Sequence, residues 1–307
     1  MAEVTANMKI GVLGPGAIGG LLAALLCRAG YSICCYGSKN AVESIQQNGI
    51  QVKSAVFGSF ISHPIADTAA SSKVDILFIT VKAPSLGTAL EKFANCVGSE
   101  TIIVSLLNGM GHRERIRQVF GPKVVVGTIG AVEALLSDDR VVQHLSLMIP
   151  HVEIASDTDV SAKIVSSIVT AVRNSGLSAT IRNSENEVIW RKLVRLSAIA
   201  TMTACTQLPL GNIRIDKQLR SQLHELVEEL CLIARADGVD CSAADVMCQI
   251  DALPEALTTS LQRDIGAGRP SEIESILGEP IRRGQSIGLS LPTMERCYLN
   301  IRLQASV

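Results

Sequence analysis

Met8-Lys9-Ile10-Gly11-Val12-Leu13-Gly14-Pro15-Gly16-Ala17-Ile18-Gly19-Gly20 runs from an apolar stretch into a G-x-G-x-x-G loop and then into the apolar segment Leu21 to Arg28. The pattern predicts a strand, a tight glycine turn and a helix. Gly14 suits a turn that a side chain would resist, Gly16 lets backbone approach a pyrophosphate, and Gly19 lets the helix pack close to the strand. The first N–H groups of such a helix, carrying the positive end of its dipole, face an anion. A glycine-rich turn without a ligand is the bland alternative. The strand before and the helix after are the context that favours dinucleotide binding, with Gly14, Pro15, Gly16, Ala17, Ile18 and Gly19 as the cofactor loop.

Composition narrows the remaining classes. The 307 residues suffice for two domains, and 47% hydrophobic content supplies a core. With 28 basic and 29 acidic residues the net charge is -1, which gives no electrostatic case for nucleic acid or a membrane surface. No basic start followed by an apolar core opens the chain, and no apolar run reaches the roughly 18 residues of a membrane span. The expectation is a soluble, cytoplasmic protein. The nine cysteines form no C-x-x-C pair and the five histidines are dispersed, so reduced core thiols are expected rather than disulfides or a metal site.

Short apolar strands are expected at Lys9 to Leu13, Ser32 to Tyr36, Asp75 to Lys82, Thr101 to Leu106 and Lys123 to Gly127, with helical stretches between several of them. Ile76-Leu77-Phe78-Ile79 and Ile102-Ile103-Val104 are continuously apolar, as in strands covered on both faces. The fold class is therefore α/β, a Rossmann-type doubly wound sheet followed by an all-α domain. Ile129 to Leu135, Val141 to Leu147 and His151 to Ala155 are expected to extend that sheet irregularly or antiparallel, before a helix from about Asp159 to Asn174. After residue 184 helical periodicity takes over at Glu185 to Cys205, Asp216 to Ala236, Glu272 to Ile287 and Thr293 to Gln304. In the second of these, Leu219, Leu223, Leu226, Val227, Leu230, Cys231 and Ala234 share a stripe, and Glu225, Glu228 and Glu229 are placed opposite. The expected domains are 1–184, binding the dinucleotide, and 185–307, helical and catalytic, with a substrate cleft between them.

A binder of the unphosphorylated cofactor carries an acid about 20 residues beyond the glycines. Here the second strand ends Cys35-Tyr36-Gly37-Ser38-Lys39-Asn40, with no acid before Glu43. Ser38 and Lys39 can donate to a 2′-phosphate that a carboxylate would repel, which favours NADP(H) over NAD(H). A polar loop facing water is the alternative.

Four further segments follow in order: Val81-Lys82-Ala83, Leu106-Leu107-Asn108-Gly109-Met110-Gly111, Val188-Ile189-Trp190-Arg191-Lys192-Leu193, and Ser260-Leu261-Gln262-Arg263-Asp264-Ile265 leading to Ser271-Glu272-Ile273-Glu274. Together with the glycine loop they resemble the ketopantoate reductase (2-dehydropantoate 2-reductase) family over essentially the whole chain. The resemblance implies reduction of 2-dehydropantoate with NADPH, and hence a place in pantothenate and coenzyme A formation. It makes Lys192 the catalytic acid and Glu272 the residue that orients Lys192 or holds substrate. Ser260 would bind the substrate carboxylate or hydroxyl, Asn108 would sit between cofactor and substrate, and Lys82 would lie near the cofactor. Glu272, like Asn108, is also placed beside the cofactor.

The chemistry suits these residue types. A carbonyl taking hydride becomes an alkoxide, which a positioned ammonium stabilises and protonates. Val188 and Ile189 lie four and three residues before Lys192 and Leu196 four after, so an apolar face is expected to lower its pKa. Each residue has a bland reading as well: a solvated helix lysine for Lys192, helix-start stabilisation for Glu272, a cap or turn for Ser260, an Asn-Gly turn for Asn108.

One departure bears on substrate choice. The family's helix usually carries asparagine four and often eight residues beyond the lysine, and here Leu196 and Ala200 stand there. Losing two neutral hydrogen bonds costs about 1–3 kcal/mol against the same substrate. Three functions remain open: a ketopantoate reductase, a reductase of another branched 2-oxo acid, and a non-catalytic NADP(H)-binding protein. The partner is a small 2-oxo acid in the first two, and the sequence leaves open whether the chain forms a homodimer.

Overall fold

A computed structural model describes residues 8–158 and 160–304. Asp159, where the fifth helix was expected to start, lies outside the described residues, as do the outermost ends of both expected domains.

In chain order the elements are β1 (Lys9–Leu13), α1 (Ala17–Arg28), β2 (Ser32–Tyr36), α2 (Lys39–Asn48), β3 (Ile50–Ser54), β4 (Phe60–Ser62), β5 (Ile65–Asp67), β6 (Ile76–Ile79), α3 (Leu86–Lys92), β7 (Ile102–Ser105), α4 (His112–Phe120), β8 (Val124–Gly130), β9 (Ala134–Leu136), β10 (Val142–His144), β11 (His151–Ala155), α5 (Ala162–Asn174) and β12 (Ser178–Ile181). Then follow α6 (Glu185–Thr206), α7 (Leu210–Ile215), α8 (Lys217–Ala236), α9 (Ala243–Asp251), α10 (Ser260–Gly266), a π-helical turn (Glu274–Gly278), α11 (Glu279–Ser286) and α12 (Pro292–Gln304). Among the described residues, 8–107 with 112–188 form one compact unit and 108–111 with 189–304 form the other.

The first unit is built on an eight-stranded sheet of order β12-β11-β8-β7-β6-β1-β2-β5. Neighbouring strands pair parallel except β11 with β8, so β11 and β12 run opposite to the other six. Alternation along each strand divides the core between two faces. Ile10, Val12, Ile76, Phe78 and Val104 pack with Leu21, Leu22 and Leu25 of α1 and Ile168 of α5, whereas Leu13, Leu77, Ile79 and Ile103 pack with Leu86, Leu90 and Phe93 on the other side. This is the two-faced burial that the unbroken apolar runs imply.

The segments around Leu135 and Val142 do not extend this sheet. Ala134–Leu136 and Val142–His144 belong to a separate four-stranded sheet of order β4-β3-β10-β9, whose other members, Ile50–Ser54 and Phe60–Ser62, had no expectation attached to them. The parallel pairing of β10 with β3 joins segments about ninety residues apart, which no local pattern reveals. This second sheet packs on α1, where Val142 meets Gly20.

The second unit is helical, and two of its details differ from expectation. Glu229 is buried rather than on the wet face of α8, its carboxylate accepting from the Thr293 and Met294 N–H groups at 2.9 and 2.8 Å. It satisfies the first-turn donors of α12, which have no partner inside their own helix. The helix expected at Glu272 to Ile287 is interrupted by the π-helical turn. There the Glu279 N–H bonds the Glu274 carbonyl, and the next residue, Pro280, has no N–H to give.

The nine cysteines are free thiols, four of them buried. Among the described residues, no helix is long and apolar enough to cross a membrane, and no cluster of three His, Cys, Asp or Glu side chains could hold a metal ion.

Gly19 tests the close approach of α1. A Cβ there would collide with the Thr80 hydroxyl and the Gly14 carbonyl. Helix propensity alone makes Gly→Ala stabilising by about 1 kcal/mol. Overpacking against backbone outweighs it, so Gly19→Ala is expected to destabilise by about 1–3 kcal/mol in urea unfolding.

Candidate active site

In the first unit the glycine loop closes on itself and on two strands. Gly14 has φ +94°, its N–H bonds the Tyr36 carbonyl at 2.9 Å, and an added Cβ would lie 2.6 Å from Val81. The Thr80 hydroxyl donates to the Gly14 carbonyl at 2.9 Å and holds the loop against the end of β6. Around Gly16 a Cβ would meet nothing within 4 Å. As the N-cap of α1, Gly16 supplies no capping side chain, and the first turn holds no acid. An open backbone cradle at an uncapped, acid-free helix start fits a dinucleotide pyrophosphate.

Ser38 is the N-cap of α2, its Oγ accepting from the Ala41 N–H at 3.4 Å. Lys39 is exposed and 3.7 Å from Glu43, a pairing that solvent largely screens. Lys82 is exposed just beyond β6 and opens the short 3₁₀ turn Ala83–Ser85. Arg140, which the motif reading did not mark, reaches the loop: its Nη2 donates to the Pro15 carbonyl at 3.5 Å.

In the second unit three of the marked residues meet. Lys192 Nζ donates to Asn108 Oδ1 at 2.6 Å, and Asn108 Nδ2 donates to Glu272 Oε2 at 3.1 Å. Asn108 thus bridges the ammonium and the carboxylate through both ends of one amide. Lys192 lies on α6, whose Val188, Ile189, Trp190 and Leu193 are buried, and Trp190 Nε1 donates to Asp237 at 2.8 Å. Desolvation pushes the Lys192 pKa down to about 8; the Glu272 carboxylate opposes the shift and Arg195 reinforces it. The apolar face read from the sequence has the consequence expected of it.

The approach of Asn108 depends on the π-helical turn. Because Glu279 serves Glu274 and Pro280 lacks an N–H, the Ser275 carbonyl is left to accept from the Met110 N–H at 2.8 Å. Gly109, at φ +91°, lets the loop come this close, since a Cβ there would strike that carbonyl. The turn seen in Asn-Gly is real, and its side chain has a further use. Glu272 likewise starts a helix through its carbonyl, which accepts from the Ile276 N–H, while its carboxylate faces Asn108.

Ser260 stands apart from this trio. It is exposed in the first turn of α10, and among the described residues its side chain has no hydrogen bond to Asn108, Lys192 or Glu272. The cap there is Thr259, whose Oγ1 accepts from the Gln262 N–H at 3.2 Å and lies 2.8 Å from Thr203 Oγ1 on α6. Leu196 is half-buried and Ala200 is buried, with Ser197 and Thr201 fully buried beside them on the same helix. Among the described residues, the hydroxyls of Ser197 and Thr201 have no hydrogen-bond partner.

The electrostatic assignment predicts a titration. Amine-selective labelling of Lys192, followed by mass spectrometry, is expected to reach half its maximal rate near pH 8. In Glu272→Gln the opposing carboxylate is gone, so the midpoint moves to lower pH; a midpoint moving upward contradicts the assignment.

The Ketopantoate reductase PanE/ApbA profile matches residues 10–154, and the profile of the same family's C-terminal domain matches residues 186–305. The 2-dehydropantoate 2-reductase of Shigella flexneri is 28% identical over 303 residues, covering 97% of this chain and 96% of its own. Among solved structures, a D-mandelate dehydrogenase with NADH and anilino(oxo)acetate superposes with a TM-score of 0.89 at 19% identity, covering 97% of this chain and 99% of its own. A dimeric ketopantoate reductase of Staphylococcus aureus superposes with a TM-score of 0.82 at 20% identity, covering 97% and 99%. Both domain profiles match in order along one chain that also carries the glycine loop and the Lys192–Asn108–Glu272 cluster, and the chain belongs to the ketopantoate reductase family of oxidoreductases.

Proposed function

We propose that the protein reduces 2-dehydropantoate to pantoate with NADPH, with Lys192 as the general acid. The observation that carries this reading is the hydrogen-bonded chain from Lys192 through Asn108 to Glu272. When bound at the glycine loop, the reduced nicotinamide supplies a hydride to the keto carbon. Lys192 donates a hydrogen bond to the keto oxygen, stabilises the negative charge that develops there and gives it a proton. With a pKa of about 8 the amine is largely protonated at neutral pH yet parts with its proton more readily than an ordinary lysine.

Asn108 and Glu272 hold the amine in place and keep its charge from being lost to burial. Ser260 takes the substrate carboxylate or hydroxyl, and Ser38 and Lys39 take the cofactor's 2′-phosphate, with Lys82 beside the cofactor. The same reading carries a cytoplasmic location and a homodimer like that of the Staphylococcus aureus relative.

Lys192→Ala is expected to lose roughly 10²–10⁴-fold in kcat, followed by ketopantoate-dependent loss of NADPH absorbance at 340 nm. Reduction by the parent enzyme is expected to slow as pH rises through about 8, because the acid is then deprotonated. Absence of ketopantoate-dependent turnover defeats the reading.

Leu196 favours a second substrate. A half-buried leucine and a buried alanine offer no hydrogen bond where the family's asparagines stand, which suits a branched 2-oxo acid with an apolar group in place of a hydroxyl. A panel of 2-oxo acids separates the two, and Leu196→Asn is expected to shift kcat/KM toward ketopantoate by about two- to tenfold, the worth of one neutral hydrogen bond.

A further inference from the structure

Arg140 is one of four non-glycine residues with positive φ among those described, at +61°. It ends the tight turn between β9 and β10, where its N–H bonds the Ser137 carbonyl at 2.8 Å and the Ser137 N–H bonds the Val141 carbonyl at 3.0 Å. A long side chain in this backbone region is disfavoured where glycine or asparagine would sit without strain, and such strain gathers at ligand clamps. The turn belongs to the second sheet, which packs on α1, and so it overhangs the start of that helix. Arg140 Nη2 meets the carbonyl of Pro15, the residue between Gly14 and Gly16. Arg140 is half-buried and its guanidinium pairs with no carboxylate among the described residues; its own neighbours Asp138 and Asp139 are exposed.

We propose that Arg140 binds a phosphate of the nicotinamide dinucleotide. This rests on the reading of the glycine loop as the cofactor site. The loop itself offers only backbone donors around Gly16, while Lys39 stands exposed beside Glu43. Arg140 adds a fixed positive charge with several donors at the same loop, and it can exchange the single Pro15 carbonyl for a dianionic or bridging phosphate oxygen. Pro15 also packs against Gly37, immediately before Ser38, so the guanidinium lies on a loop that joins the pyrophosphate cradle to the end of β2.

Arg140→Asn and Arg140→Gly remove the charge while suiting the backbone, so both are expected to unfold no more easily than the parent. Direct titration of NADPH and NADH, followed by calorimetry or nucleotide fluorescence, reads the effect without turnover. The expected result is a roughly tenfold weaker Kd for NADPH in both variants and a smaller salt dependence, with Arg140→Lys in between. Equal weakening of NADPH and NADH assigns Arg140 to the pyrophosphate, and weakening of NADPH alone assigns it to the 2′-phosphate. A parent that binds NADPH beside variants that bind it as tightly overturns this inference alone. A parent that binds neither nucleotide overturns the functional reading and this inference with it.

Discussion

Pro280 cannot donate a hydrogen bond, and the docking of Asn108 between Lys192 and Glu272 follows from that deficit. In the π-helical turn, the Ser275 carbonyl loses its helical donor and takes the Met110 N–H instead. A buried carbonyl without a partner costs about as much as a lost hydrogen bond, so the loop 108–111 is held there firmly. Gly109 is the residue that permits the approach, and Asn108 is the residue it delivers. Without this docking the Asn108 amide would have no reason to stand between Lys192 and Glu272.

The bridging amide also explains the electrostatics. An ammonium on an apolar helix face sheds its proton readily, and a carboxylate in direct contact would hold that proton back. Here Glu272 compensates only in part, leaving Lys192 near pKa 8 rather than at the ordinary value of 10.5. The side chain is charged in neutral solution and parts with its proton more readily than an ordinary lysine. On the same helix, the Trp190 indole fixes to Asp237, which also accepts from Arg283 at 2.8 Å. The helix that carries Lys192 is thereby anchored to the end of α8 and to α11 by charge-assisted hydrogen bonds.

Much of the glycine loop was legible because its constraints are local. Gly14, Thr80 and Gly19 meet within a strand, a turn and a helix whose patterns are continuous in sequence, and the two-faced burial of β6 and β7 is visible as unbroken apolar runs. The apolar surroundings of Lys192 were legible for the same reason, being one helix face. Other features were hidden by distance along the chain. Glu229 sits in a row of acids that pattern assigns to solvent, and only the start of α12, some sixty residues on, makes it a buried cap. The strands of the second sheet look like any short β segments until β3 and β10 pair.

By itself the sequence determined a Rossmann-type strand–glycine loop–helix start, a helical second half and a lysine on a hydrophobic helix face, since each is a matter of period and residue type over a few turns. The tertiary structure alone decided that Asn108 joins Lys192 and Glu272, residues 84 and 164 positions away, and that Arg140 overhangs Pro15 from 125 positions away. Hydrogen bonds over such separations depend on where the chain is returned by packing, and neither a motif nor a periodicity encodes that return.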